Sequence, residues 1–204
     1  MIERGPFVWV WTGDPERVGP TTAPDGVGFD DEGWSFYTGY ASIGCHYMLV
    51  VDNLLDLSHE SFLHATRIGT PEVAETPIAT ETDDGTSTVS VTRHMPGAEC
   101  PPSYENLTGL RTPIDRTQSI RFFAPTLYVL NNRLAPAGLP VGEPGAFHTR
   151  VVYAITPQDA RTTHYFFAIG RDFAQDDRVL DDVRRKSQYE LLSLIHISEP
   201  TRPY

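Results

Sequence analysis

The chain has 204 residues, enough for one domain with a real core, and at 40% hydrophobic and 11% aromatic it is globular in composition rather than disordered. A formal charge of −11 and a pI near 4.9 argue against nucleic acid and anionic membrane as partners, while leaving small organic molecules open. No apolar run is long enough for a membrane span, and Met1 to Pro6 lack the basic-then-apolar layout of a secretory signal, so a cytoplasmic protein is expected.

Residues 7–11 (FVWVW) alternate aromatic and β-branched side chains and predict a strand, ended by the turn Thr12-Gly13-Asp14-Pro15. Residues 14–33, rich in Pro, Gly and Asp, read as a surface loop, and Trp34 to Ala41 as a second strand. Residues 46–65 contain no proline or glycine and place Leu49, Val50, Leu54, Leu57, Phe62 and Leu63 at helical spacings. Gly69-Thr70-Pro71 and Pro77 mark a loop. Residues 74–82 and 86–94 then read as a hairpin about Asp83-Asp84-Gly85. Four further strands are expected at 117–123, 126–134, 147–155 and 162–170, followed by a charged helix from Asp176 to Glu190. Strands, one central helix, a run of strands and a last helix, without βαβ alternation, predict an α+β fold with an antiparallel sheet. Cys45 and Cys100 belong to no CxxC pair and are expected to be reduced, buried thiols.

The chemistry is concentrated in Asp52-Asn53-Leu54-Leu55-Asp56-Leu57-Ser58-His59-Glu60-Ser61-Phe62-Leu63-His64. Asn53, Asp56 and His59 fall three apart, along one side of a helix. His64 follows five after His59, so the helix is expected to bend or tighten between them. Two histidines at this spacing are compatible with helix-surface or core positions. The accompanying Asp and Asn on an otherwise apolar helix shift the balance towards a site, because buried polar groups are costly unless bonded or coordinated. A zinc-hydrolase HExxH site is disfavoured: it needs histidines at i and i+4, and here the spacing is one longer.

Gly44-Cys45-His46-Tyr47 through His64 resembles the N-x-x-D-x-x-H-x-x-x-x-H segment of Rieske-type non-haem iron oxygenases, and NLLDLSHESFLH is most similar to the vanillate O-demethylase group. ERGPFVWVWTGDP resembles the join after a Rieske domain, and Ile155-Thr156-Pro157 with Thr163-His164-Tyr165-Phe166-Phe167 resembles the late strands of that family. The resemblance implies a helix-grip fold, an antiparallel sheet wrapped around a long helix. It implies Fe(II) held by His59 and His64, with a later Asp completing a two-His-one-carboxylate triad that leaves positions open for O2. Asp56 and Asn53 become the expected catalytic residues, Asp56 as the bridge to the Rieske cluster of a neighbouring subunit. The resemblance further implies a homotrimer, a small aromatic substrate that is hydroxylated (by a mono- or dioxygenase) or O-demethylated, and NAD(P)H-derived electrons from a separate reductase or ferredoxin.

The chain has no paired Cys and His motifs for a [2Fe-2S] cluster, so residues 1–12 are expected to be the remnant of a junction with a Rieske domain, and 13–191 the catalytic domain. Residues 192–204 (LSLIHISEPTRPY) resemble a translated sequencing adaptor and are expected to form a tail with few contacts to the core. The family's third ligand lies just beyond Glu190. His196 stands near that place but is not expected to be a ligand, and Asp176, Asp177, Asp181 and Asp182 read as a solvated first turn. A domain stripped of its neighbours is expected to expose apolar area along 1–11 and beside 46–65, and without a cluster it is expected to be inactive. His148, His164, Tyr128, Tyr153, Asn131 and Asn132 are weaker pocket candidates, and His94 is a surface or packing residue. The competing possibility is a metal-free helix-grip domain that binds a hydrophobic ligand, which has no need of Asp56, His59 and His64 in register.

Overall fold

The computed structural model describes residues 1–19, 27–83, 85 and 87–198, the last six of these by backbone alone. A short hairpin, β1 (Ile2–Arg4) and β2 (Phe7–Trp9), precedes β3 (Ser35–Ile43) and α1 (Tyr47–Leu55). A 3-10 turn (Leu57–His59) leads directly into α2 (Glu60–Leu63), and residues 64–70 then lead to α3 (Pro71–Glu75). Then come β4 (Ala79–Asp83), β5 (Thr88–Ala98), α4 (Pro102–Thr108), β6 (Ile114–Phe123), β7 (Leu127–Pro136), β8 (Phe147–Pro157), β9 (Thr163–Arg171) and α5 (Arg178–Ser198).

The seven long strands form one antiparallel sheet in the order β3-β9-β8-β7-β6-β5-β4, so the first of them closes against the last. This is the α+β, helix-grip arrangement, with α1 and α5 lying on one face of the sheet. The period-2 alternation of the strands separates two cores. On the helix side, Tyr128, Val151, Ile155, Tyr165, Phe167 and Ile169 pack with Leu49, Val50, Val51 and Leu57. On the other side, Val129, Val152 and Ala168 pack with Val27, Phe7, Trp9, Phe29 and Phe36. Phe7 meets Phe29 edge-on at 5.4 Å, a geometry favoured by the ring quadrupoles. The β1–β2 hairpin thus covers part of the second face, while Val8, Val10, Trp11, Phe62 and Leu63 remain exposed. The two stretches expected to carry open apolar surface do so.

Close approach limits β3. A Cβ on Gly39 would lie 2.1 Å from the ring of Phe167, which is wholly buried and has nowhere to move. Gly39→Ala is expected to cost about 1–3 kcal/mol, the usual penalty of overpacking, seen as a lower urea midpoint at unchanged slope.

The structure revises the expected elements in three places. The hairpin expected from Ala74 begins at Ala79, because Pro71 at the first helical position starts α3 instead. Helix α4 was not anticipated; it is a short turn opened by Pro102 and closed by Gly109 in the left-handed region at φ 73°. The third is α5. Asp177 accepts from the Leu180 N–H at 2.9 Å and caps it, and Asp176 and Asp182 are exposed as expected. Asp181, however, is buried and ion-paired with buried Arg171 at the end of β9, which also donates to the carbonyls of Ala174 and Asp177. The helix then runs past Glu190. Leu192 is buried in the main core, contrary to the expectation of few contacts after Leu191, because the helical repeat that turns Gln188 inward carries Leu192 to the same face. The side chains of 193–198, His196 among them, and residues 199–204 lie outside the described residues.

Candidate metal and substrate site

Helix α1 is capped by the His46 ring, which accepts from the Met48 N–H, and ends at Asp56 with φ −84° and ψ 88°. The Asp56 carboxylate turns back to accept from the Ser58 N–H at 2.9 Å and from the Ser58 hydroxyl, and so starts the 3-10 turn that carries His59. The tightened 3-10 turn lies ahead of His59, whereas the stretch between the two histidines, Glu60–Leu63, is an α-helical turn, so the bend expected between them falls before the first. Helix α2 ends at His64, whose carbonyl accepts from the backbone N–H groups of Arg67, Ile68 and Gly69.

The result is convergence. The rings of His59 and His64 lie 5.2 Å apart between centroids, inclined at 72°. His59 Nδ1 is hydrogen-bonded to the backbone carbonyl of Asp56. A carbonyl only accepts, so Nδ1 carries the proton and Nε2 keeps its lone pair free. Burial, followed by the neighbouring His59, lowers the His64 pKa to about 4, so the imidazole is neutral at physiological pH. His64 Nδ1 is buried and has no hydrogen-bond partner among the described residues. Two converging imidazoles, one with an orphaned nitrogen, fit a divalent metal. Among the described residues no third His, Cys, Asp or Glu joins them.

Asp56 lies on the exposed rim, and its contact with His59 runs through its backbone carbonyl, not its carboxylate. Asn53, Leu54, Leu57, His59, Glu60 and His64 line a cavity of about 90 Å³ with Ile68, Ile120, Tyr128, Leu130, Tyr153, Tyr165 and three residues of α5, Gln188, Leu191 and Leu192. A larger cavity of about 540 Å³ adjoins it, and Ile68, Leu130, Tyr153, Gln188 and Leu191 belong to both walls. Gln188 reaches the Tyr153 hydroxyl at 3.4 Å across that boundary. Burial pushes the Tyr153 phenol up to about 12 and the Tyr128 and Tyr165 phenols up as well, so all three are neutral donors or acceptors.

The weaker pocket candidates divide. Tyr128 and Tyr153 line the small cavity and Asn132 the large one, where its Oδ1 is buried and unpartnered. Asn131 and His148 lie beside a different groove on the sheet, Asn131 accepting from Arg150 Nε at 2.8 Å. His164, half-buried, bonds the Tyr40 hydroxyl and His94, exposed, bonds Thr117, and neither lines the two cavities. His148 serves structure. Asp172 accepts from the His148 backbone N–H at 2.9 Å and from its ring at 2.6 Å. Burial pushes the Asp172 carboxyl up, but these two hydrogen bonds outweigh it and hold the pKa below the usual 3.8. A carboxyl depressed in the folded state adds stability above its unfolded pKa and loses it as pH falls through the folded value. Wild type is therefore expected to lose more stability than Asp172→Asn between pH 5 and acid, measured by urea unfolding.

A charged and polar group that no motif announced lies behind the histidines. Glu60 is buried, with its carboxylate 3.2 Å from Arg116 Nη2 and 2.8 Å from Gln118 Nε2. Tied there, it is not free to serve as a hydrolytic base, which agrees with the rejection of an HExxH site. Arg116 and Gln118 share with Ile114 and Ile120 the inward face of β6. Two polar residues in that apolar alternation were the available signal.

The vanillate O-demethylase oxygenase C-terminal domain model matches residues 43–190, from the end of β3 to the last turns of α5. The chain belongs to this family. It is 32% identical over 199 residues to a vanillate O-demethylase oxygenase subunit of a Pseudomonas strain, covering 94% of this chain and 56% of that protein. It is 31% identical over 195 residues to the dicamba O-demethylase oxygenase component of Stenotrophomonas maltophilia, with 94% and 56% coverage. A crystal structure of dicamba monooxygenase bound to 3,6-dichlorosalicylic acid superposes with a TM-score of 0.83 at 27% identity, over 95% of this chain and 60% of that one. Another contains non-haem iron and dicamba, with a TM-score of 0.67 at 25% identity, over 100% of this chain and 61% of that one. The chain spans a little over half the length of these curated relatives.

Proposed function

We propose that this family member is the iron-binding half of an oxygenase component that uses O2 to hydroxylate or O-demethylate a small aromatic substrate. The observation that carries the proposal is the His59–His64 pair, with His64 Nδ1 buried and unpartnered, beside an apolar cavity. A metal-free ligand-binding domain would leave that nitrogen desolvated without compensation. Bound Fe(II) supplies the redox chemistry that activates O2. The chain's own residues do the rest. The Asp56 carbonyl fixes the His59 tautomer. Leu54, Leu57, Ile68 and Ile120 give the cavity beside the histidines an apolar wall, which disfavours water there. The larger cavity behind Tyr153 and Gln188 offers the room an aromatic substrate needs. Helix α5 runs past the two histidines through Gln188, Leu191 and Leu192, which favours a third, carboxylate ligand from the C-terminal part of the domain.

The exposed Asp56 carboxylate belongs, in this proposal, to an electron path from the [2Fe-2S] cluster of a neighbouring subunit in a homotrimer. NAD(P)H-derived electrons arrive through a separate reductase. The exposed Val8, Val10, Trp11, Phe62 and Leu63 are compatible with contacts that a cluster domain and a neighbouring subunit would cover. The test uses the intact protein with its reductase. Wild type is expected to consume O2 only when an aromatic substrate is present. Two inactive variants, one lacking a cluster ligand and one with Asp56→Asn, are then mixed under subunit exchange. Recovered, substrate-dependent O2 uptake supports transfer between chains. Silence despite verified mixing contradicts it.

A further inference from the structure

We infer that Arg116 is a positioning residue that clamps both ends of the loop bearing His64, an inference that rests on the metal reading of the histidine pair. The guanidinium projects from β6 and is wholly buried. Its Nη2 lies 3.2 Å from the Glu60 carboxylate, at the first residue of α2. Its Nη1 donates at 2.9 Å to the carbonyl of Ile68, where the chain returns after His64. One rigid, planar group therefore fixes the start and the finish of the same excursion, and its face lies over the Tyr104 ring at 5.0 Å.

The excursion is closed tightly enough for that hold to matter. Glu60 O accepts from the His64 N–H, and His64 O accepts from three backbone N–H groups that follow it. Gly69 passes so near the start of the loop that a Cβ there would lie 2.0 Å from the Glu60 carbonyl oxygen. The Ser61 hydroxyl adds a bond to the Thr70 carbonyl at 2.9 Å. Shifting Glu60 against Ile68 would therefore move His64 relative to His59, which is anchored separately by Asp56. Gln118 bonds the same Glu60 carboxylate from the next inward position of β6 and steadies it. Lysine, a point donor, would keep the charge while losing the two-pronged reach.

The experiment compares wild type, Arg116→Lys, Arg116→Met, His59→Ala and His64→Ala in the intact protein. Hydrogen exchange is followed at residues 60–69 and in the sheet, and Co2+ uptake at the histidine pair by equilibrium dialysis, under conditions where each variant is folded. Arg116→Lys is expected to speed exchange in 61–69 by more than about tenfold while β7–β9 stay protected, and to weaken Co2+ binding roughly 10–100-fold. Unchanged exchange in the loop, or a uniform loss across the sheet, overturns the clamp. Faster loop exchange with unchanged Co2+ affinity overturns the positioning role and leaves a purely structural one. Wild-type Co2+ uptake that survives both His59→Ala and His64→Ala defeats the metal reading instead, while loop exchange still decides the clamp.

Discussion

His64→Ala is expected to abolish metal binding at the histidine pair, while the protein stays folded. The residue sits at the edge of a cavity, not within the packed centre of the sheet, and its Nδ1 makes no protein hydrogen bond whose loss would be felt. Removing a supporting group of a metal ligand usually costs about 10–100-fold in affinity, so loss of the ligand itself should exceed that. Iron content beyond that of any cluster should fall to background and turnover with it, whereas thermal unfolding of the metal-free form should hardly move. His59→Ala should behave alike. A variant that keeps its metal would show that the two rings converge for another reason.

Arg171→Met is expected to produce the largest loss of stability. It leaves the buried Asp181 carboxylate with only the longer contact to exposed Arg178, at 3.6 Å, and removes the bonds to the Ala174 and Asp177 carbonyls that fasten the start of α5. Breaking one side of a buried pair costs about 3–5 kcal/mol. For a domain of this size that corresponds to a fall on the order of 10 °C in melting temperature. Replacing both partners, as in Arg171→Met with Asp181→Leu, should recover much of the loss, since the penalty comes from the stranded charge. Differential scanning calorimetry of the single and double variants measures both. A double variant as unstable as the single one would mean that the carbonyl contacts carry the effect.

What could be read directly from the residues was whatever repeats with a fixed period. The inward and outward alternation of β7, β8 and β9 was visible as runs of Val, Tyr and Phe, whereas the five-residue histidine spacing pointed to a break between the histidines that in fact falls before His59. Features set by contacts distant in sequence were not legible. Asp181 looked like a helix-dipole residue because nothing near it announces Arg171 as its partner across the β9–α5 turn. Glu60 looked incidental beside the histidines because its partners, Arg116 and Gln118, lie on β6. Asp56 was identified as important, but the atom that touches His59 is its carbonyl, which no side-chain pattern encodes. Leu192 was assigned to a tail on the strength of a resemblance, whereas helix phase carries it into the core.

The central claim is that His59 and His64 hold one metal beside the apolar cavity. Anomalous diffraction at the iron edge, from crystals of the intact protein grown anaerobically with Fe(II), tests it most directly. The account predicts a single anomalous peak between the two imidazoles, about 2 Å from one nitrogen of each, beside the cavity they line. Iron bound elsewhere with both imidazoles free, or no peak beyond that of a cluster, would contradict it.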